Sequence, residues 1–152
     1  MKIVKKDELD EFVGHEGAPT PWFTVTQKQI NTFADATHDH QFIHVDEEKA
    51  KQTPFGGTIA HGFLTLSMLS HFAEHNDWQI EGAFMGMNYG FDKIRFVNPV
   101  KVNSRIRALT KVTEITEKKP GQFFIRVELT VEIEGEEKPA LTSEWLNMVF
   151  AK

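Results

Sequence analysis

Cysteine is absent from the sequence. Its absence removes thiol nucleophiles, cysteine-ligated zinc and disulfides together, and leaves the redox compartment open. Tyrosine occurs once, against thirteen phenylalanines, so the aromatic residues serve large apolar surfaces, an interior or a subunit interface, more than polar recognition. A basic excess is also missing: the formal net charge is −5, which argues against nucleic acid as a partner. The longest apolar segment, Ile59 to Leu69, is too short to span a membrane and is interrupted by His61, Thr65 and Ser67. Asp7, Glu8, Asp10 and Glu11 break up any signal-peptide core near the N-terminus, so a cytoplasmic protein with no membrane partner is expected. Phosphate loops, dinucleotide fingerprints, HExxH zinc spacings and the G-x-S-x-G elbow of serine hydrolases are not found. Nothing resembling a repeat or an interdomain linker divides the 152 residues, 40% of them hydrophobic, and 1–152 read as a single domain.

The first half of the chain reads as helices and the second as strands. Leu9, Phe12 and Val13 suit one short packed helix, and Trp22–Val25 a short strand. Thr26 followed three residues later by Gln29 is a capping-box pattern, and Ile30, Phe33 and Ala34 continue it as an apolar stripe expected to fail near Thr37. Asp46 is a good N-cap for a second helix, with Glu47 and Glu48 where the dipole favours negative charge. That helix must end before Thr53-Pro54, because proline pushes its predecessor out of helical geometry. A third helix is expected over His61–His75. Its Phe63, Leu64, Leu66, Met68, Leu69, Phe72 and Ala73 cover most of the circumference, which predicts burial on nearly every side.

Strands are expected over 84–91, 93–97, 105–115, 123–134 and 140–150. The clearest signal is Ile125, Val127, Leu129, Val131 and Ile133 alternating with polar residues, the period-two pattern of a sheet with one buried and one wet face. Lys119-Pro120-Gly121 and Glu134-Gly135-Glu136 supply turns. Helices followed by consecutive antiparallel strands give an α+β fold, with the sheet as the wrapper of the apolar helix.

Chemistry concentrates between Phe33 and Ser70, which holds four of the seven histidines. Asp39 and His44 follow the expected end of a helix, on irregular backbone, where site residues are common. A carboxylate and an imidazole converging on one water can orient it and move protons near neutral pH. The spacing alone equally suits an aspartate that caps a turn and a half-buried loop histidine. At the start of the apolar helix, the Gly62 N–H is unpaired at the positive dipole end, with no side chain to keep a carbonyl away. Tight packing is an alternative reason for this glycine, and helix capping for His61. Ser70 suits either a pocket contact or a bond to its own helix. A metal held by His38, Asp39, His40 and His44 lacks a recognised spacing, and none is expected. Arg95, Lys101, Arg105 and Arg107 read as a solvated sheet face that a phosphate-bearing ligand tail could also use.

FADATHDHQFIHVD followed by FGGTIAHGFLTLSML, and later NYGFDKIRFVNPVKVNSRIRA, resemble the MaoC-like dehydratases and (R)-specific enoyl-CoA hydratases, especially their nodulation protein N-like branch. The resemblance implies a hot-dog fold, an antiparallel sheet wrapped around a long central helix, and a homodimer. It implies Asp39 and His44 as the pair that adds water to a trans-2-enoyl thioester, with Gly62 donating to the thioester carbonyl. Ser70 and His61 join Gly62 as the expected substrate-binding group. No cofactor or metal is implied, coenzyme A being part of the substrate. Two positions depart from the stricter hydratase signature: His38 replaces a glycine, and His40-Gln41 replace Asn-Pro. If the backbone at 38 has positive φ, histidine carries strain there. A hot-dog thioesterase and a non-catalytic acyl-thioester binding protein are the alternative readings.

Overall fold

The computed structural model describes residues 1–152. Its elements run β1 (Lys2–Val4), α1 (Leu9–Phe12), β2 (Phe23–Thr24), α2 (Gln27–Thr37), α3 (Phe42–Val45), α4 (Glu47–Ala50), α5 (Gly62–Ser67), α6 (Leu69–Ala73), β3 (Trp78–Ile80), β4 (Ala83–Phe96), β5 (Arg105–Lys119), β6 (Gln122–Ile133) and β7 (Leu141–Ala151). The main sheet has the order β2-β5-β6-β7-β4, with every neighbouring pair antiparallel. It curls around the α5–α6 helix, the hot-dog arrangement of the α+β class. Gly121 (φ +75°) and Gly135 (φ +81°) occupy the two expected turns, in backbone that a Cβ disfavours.

Local signals fix the ends of several elements. The Thr26 hydroxyl accepts the Gln29 N–H at 3.2 Å, but only half of the capping box forms. The Gln29 amide instead donates to Met68 Sδ at 3.1 Å, tying α2 to the central helix. Helix α2 stops at Thr37, and His38 ends it in the left-handed region at φ 60°, ψ 24°. Asp46 caps α4 through the Lys49 N–H at 3.0 Å.

The main core packs Ile30, Leu64, Met68, Leu69 and Phe72 against Ile106, Leu129, Val131, Leu141 and Trp145 on the concave sheet. A second cluster packs Val4, Leu9, Phe12, Trp78 and Ile80 over Val112, Ile115, Phe123 and Ile125. It is closed by the parallel pairing of β1 with β3, which local sequence signals do not reveal.

Three expectations need correction. Strands 84–91 and 93–97 are one strand, β4, because the irregularity between Phe91 and Lys93 is a bulge and not a break. The central helix changes geometry at Met68, dividing α5 from α6, although the Phe72 N–H still reaches the Met68 carbonyl at 3.0 Å. It is also buried on one face only. Leu64, Thr65, Met68, Leu69 and Phe72 face the sheet, while Phe63 is 67% exposed. One sheet wraps one side of a helix, so the apolar residues opposite it lack cover within this chain.

Candidate active site

The sequence folds this region by placing a one-turn helix, α3, just after the left-handed cap at His38. Asp39 therefore lies on irregular backbone, as expected, whereas His44 sits within α3 and is 7% exposed. His44 Nδ1 lies 2.7 Å from the Ile59 carbonyl. A carbonyl only accepts, so Nδ1 carries the hydrogen and Nε2 keeps its lone pair. The turn behind His44 is pinned by a residue that the sequence reading did not single out. The Gln27 side chain donates to the His44 carbonyl at 2.8 Å and accepts from the Thr58 hydroxyl at 2.5 Å. Its first-turn position in α2 is the only sequence clue, and both partners are remote along the chain.

A carboxylate oxygen of Asp39 and a ring nitrogen from each of His44 and His61 lie within 4.8 Å of one another. A separation at the outer end of that range is one that a single water can span, with bonds of about 2.8 Å at an angle of roughly 120°. Asp39 is half exposed and accepts the Gln41 N–H at 3.3 Å. Burial is the largest influence on His44 and pushes its imidazole below the ordinary histidine value. The Ile59 carbonyl opposes this, the nearby His61 lowers it further, and the Asp39 carboxylate raises it. His44 is thus held neutral near pH 7 with a lone pair available, the state a general base requires.

His61 is 3% exposed, and its ring stacks on that of His44 at 3.9 Å between centroids with 25° between planes. Its Nε2 approaches the Asp39 carbonyl at 3.0 Å. The expected substrate contact at His61 is therefore not what the geometry provides, because the ring is enclosed and its Nε2 faces the protein's own backbone. Of the other residues considered for a metal, His40 pairs with Asp35 at 2.8 Å, and His38 is outside the group.

Gly62 opens α5 beside His44, and both line a cleft of about 270 Å³ with Thr65, Phe96, Asn98 and Ala140. The His61 carbonyl receives the Leu64 and Thr65 N–H groups, leaving the Gly62 N–H at the open helix end. Both readings of Gly62 find support, because a Cβ there would also meet the Phe96 ring at 3.1 Å. Ser70 is exposed and is not among the residues lining this cleft. The structure thus brings together Asp39, His44, His61 and Gly62, and leaves Ser70 apart. Arg105 and Arg107 pair with Glu134 and Glu132 and lie against Trp22, the solvated-face reading of the basic cluster.

Residues 11–135 match the family described as MaoC like domain. The chain is 48% identical over 138 residues to Nodulation protein N of Rhizobium leguminosarum bv. viciae, covering 90% of this chain and 86% of the relative. It is 43% identical over 137 residues to 3-hydroxyacyl-thioester dehydratase Z of Mycobacterium tuberculosis, covering 90% of each. Its fold superimposes on the (R)-hydratase of A. caviae with a TM-score of 0.71 at 23% identity, over 89% of this chain and 94% of that one. A family match over most of the chain and relatives at 43–48% identity over nine-tenths of it lead to one conclusion: this chain belongs to the MaoC-like dehydratase family.

Proposed function

We propose that the protein is a hydro-lyase that reversibly hydrates a trans-2-enoyl-CoA to the (R)-3-hydroxyacyl-CoA. The observation that carries this reading is the neutral, buried His44, whose Nδ1 is committed to Ile59 and whose ring borders the same cleft as Gly62, with the Asp39 carboxylate within 4.8 Å. The dehydratase name of a relative at 43% identity supports the reaction class.

In this mechanism Asp39 and His44 hold one water. Its oxygen bonds to C3 while the C2=C3 electron pair moves toward the thioester carbonyl, where the Gly62 N–H stabilises the enolate oxygen; one such donor is typically worth about 10²–10³ in rate. The water proton passes to the Asp39/His44 pair, and a proton from that pair reaches C2 on the same face. The pair ends as it began, so neither metal nor cofactor is needed and coenzyme A is part of the substrate.

We propose a second copy of this chain as the partner. β4 is an edge strand, paired only with β7, and it exposes Phe84, Met85, Met87, Tyr89 and Phe96. Phe63 on the uncovered helix face packs edge-on to Phe96 at 6.0 Å, so the helix and strand form one apolar surface. Isologous pairing would cover both.

The test is loss of enoyl-thioester absorbance with crotonyl-CoA in the wild type, Asp39→Asn and His44→Ala, with chiral product analysis. Turnover to the (R)-alcohol that falls about 10²–10⁴-fold in each variant is expected. Release of free coenzyme A would show the thioesterase alternative, and binding without turnover the acyl-binding one.

A further inference from the structure

We infer that His61 is a positioning residue that locks the parts of the site together: its ring supports His44, its Nε2 holds the Asp39 main chain, and its backbone caps the helix that presents Gly62. This rests on the hydratase reading for its kinetic consequence, though not for its geometry.

The argument begins with what holds Asp39. This residue follows the left-handed cap at His38 and enters none of the loop hydrogen bonds between backbone groups. Its carboxylate turns to the Gln41 N–H two residues on, which fixes the side chain locally but does not tie the loop to the rest of the site. The bond from His61 Nε2 to the Asp39 carbonyl, at 3.0 Å across 22 residues, makes that tie. Since a carbonyl only accepts, His61 carries its hydrogen on Nε2, and its Nδ1 is a bare lone pair. That nitrogen is buried and has no partner.

The ring supplies the second part. It packs against Phe33, at 5.0 Å, and stacks on His44, at 3.9 Å. His44 cannot tilt toward His61 without displacing it. The backbone supplies the third, because the His61 carbonyl accepts the first N–H groups of the helix that Gly62 begins. One residue thus sets the acid against the base and both against the carbonyl donor. An ordinary buried histidine would be expected to have its second nitrogen satisfied. Here the unpaired Nδ1 is tolerated while the ring serves the Asp39 loop on one edge and His44 on its face.

Two variants separate positioning from substrate contact and from plain packing. His61→Phe keeps an aromatic ring against Phe33 and His44 but cannot donate to Asp39. His61→Gln can donate but cannot stack. With crotonyl-CoA, His61→Phe should lower kcat by about 10- to 100-fold, the effect of a displaced catalytic group, with KM within about threefold, and His61→Gln should recover a large part of that loss. A His61→Phe enzyme with kcat within about threefold of wild type would overturn the inference, as would a rise in KM with kcat intact, which means substrate contact. If His61→Phe does not fold, His61→Gln decides: a folded variant as slow as the loss stated above contradicts the tie. Nitrogen-detected NMR of the wild type reads the tautomers without any substrate. Hydrogen on Nε2 of His61 and on Nδ1 of His44 is expected, and Nδ1–H at His61 overturns the tie. Correct tautomers in a protein inert toward enoyl-CoA would instead fault the hydratase reading alone.

Discussion

The two ends of the central helix are built differently. At its start, polar groups are tied one to another: Gln27 to the His44 carbonyl and Thr58, His44 to Ile59, and His61 to Asp39. Of these, His44 and Ile59 line a cleft of about 270 Å³, together with Gly62. At its far end, Phe72 and Ala73 border a larger cavity of about 460 Å³, with Ile125, Val127, Trp145 and Val149 among its walls. Glu74, His75, Asn76 and Asp77 lie along this cavity, but none of them joins a histidine–carboxylate cluster like that of Asp39, His44 and His61. Size is therefore a poor guide to chemistry in this fold. Under the proposed hydration, proton transfer at the narrow end tolerates little positional error, so that end needs remote hydrogen bonds to hold it, whereas apolar space needs only side chains of suitable volume.

If the narrow end depends on its ties, cutting one should cost more than filling the wide end. Gln27→Ala removes no group from the cleft but leaves the His44 carbonyl and the Thr58 hydroxyl, which is in a 1% exposed residue, without their partner. A loss of about 1–3 kcal/mol in stability is expected in urea unfolding, together with a fall in kcat of up to about 10²-fold. Wild-type kcat in a folded Gln27→Ala protein would show that the turn at His44 holds itself.

A smaller effect follows from the depressed proton affinity of His44, caused chiefly by its burial. Activity falls as His44 gains a proton, so the acid limb of the kcat/KM profile should have its midpoint below about 6.5, the ordinary histidine value. The unfolded chain takes up that proton more readily than the folded one, so the contribution of His44 to stability is full above about 6.5 and declines as pH falls below it. A limb centred above that value would assign the titration to another group.

At the wide end, Val149→Phe adds volume inside the cavity. Its cost in stability should stay near or below about 1–3 kcal/mol, with crotonyl-CoA turnover close to wild type. A large kinetic loss there would mean that the two ends are coupled. Smallest of all is His38→Gly, which relieves about 1–2 kcal/mol of left-handed strain but returns part of it through the greater freedom of the unfolded chain. A gain in thermal midpoint of a few degrees at most is expected.

Much of this architecture is legible in local pattern. The alternation from Ile125 to Ile133 appears as β6, Thr26 and Asp46 cap the helices they were expected to cap, and His44 lies near Asp39 and borders one cleft with Gly62. What escapes the sequence is non-local. The Gln27 contacts join residues 17 and 31 positions apart, and the stack that encloses His61 depends on where two separate segments cross. β1 pairs with β3 across more than seventy residues. Apolar residues all round a helix reveal that both faces seek cover, but not whether the same chain supplies it, which is why the exposure of Phe63 was not foreseen. His44 in α3 was missed because a single helical turn has too few residues to show a period.

The most direct test of the central claim is the fate of the water oxygen. Wild-type protein turning over crotonyl-CoA in ¹⁸O-labelled water should place the label on C3 of (R)-3-hydroxybutyryl-CoA, and Asp39→Asn should not. Label in the carboxylate of free crotonate, released with coenzyme A, would contradict the account, because water would then have attacked the thioester carbon and not the double bond.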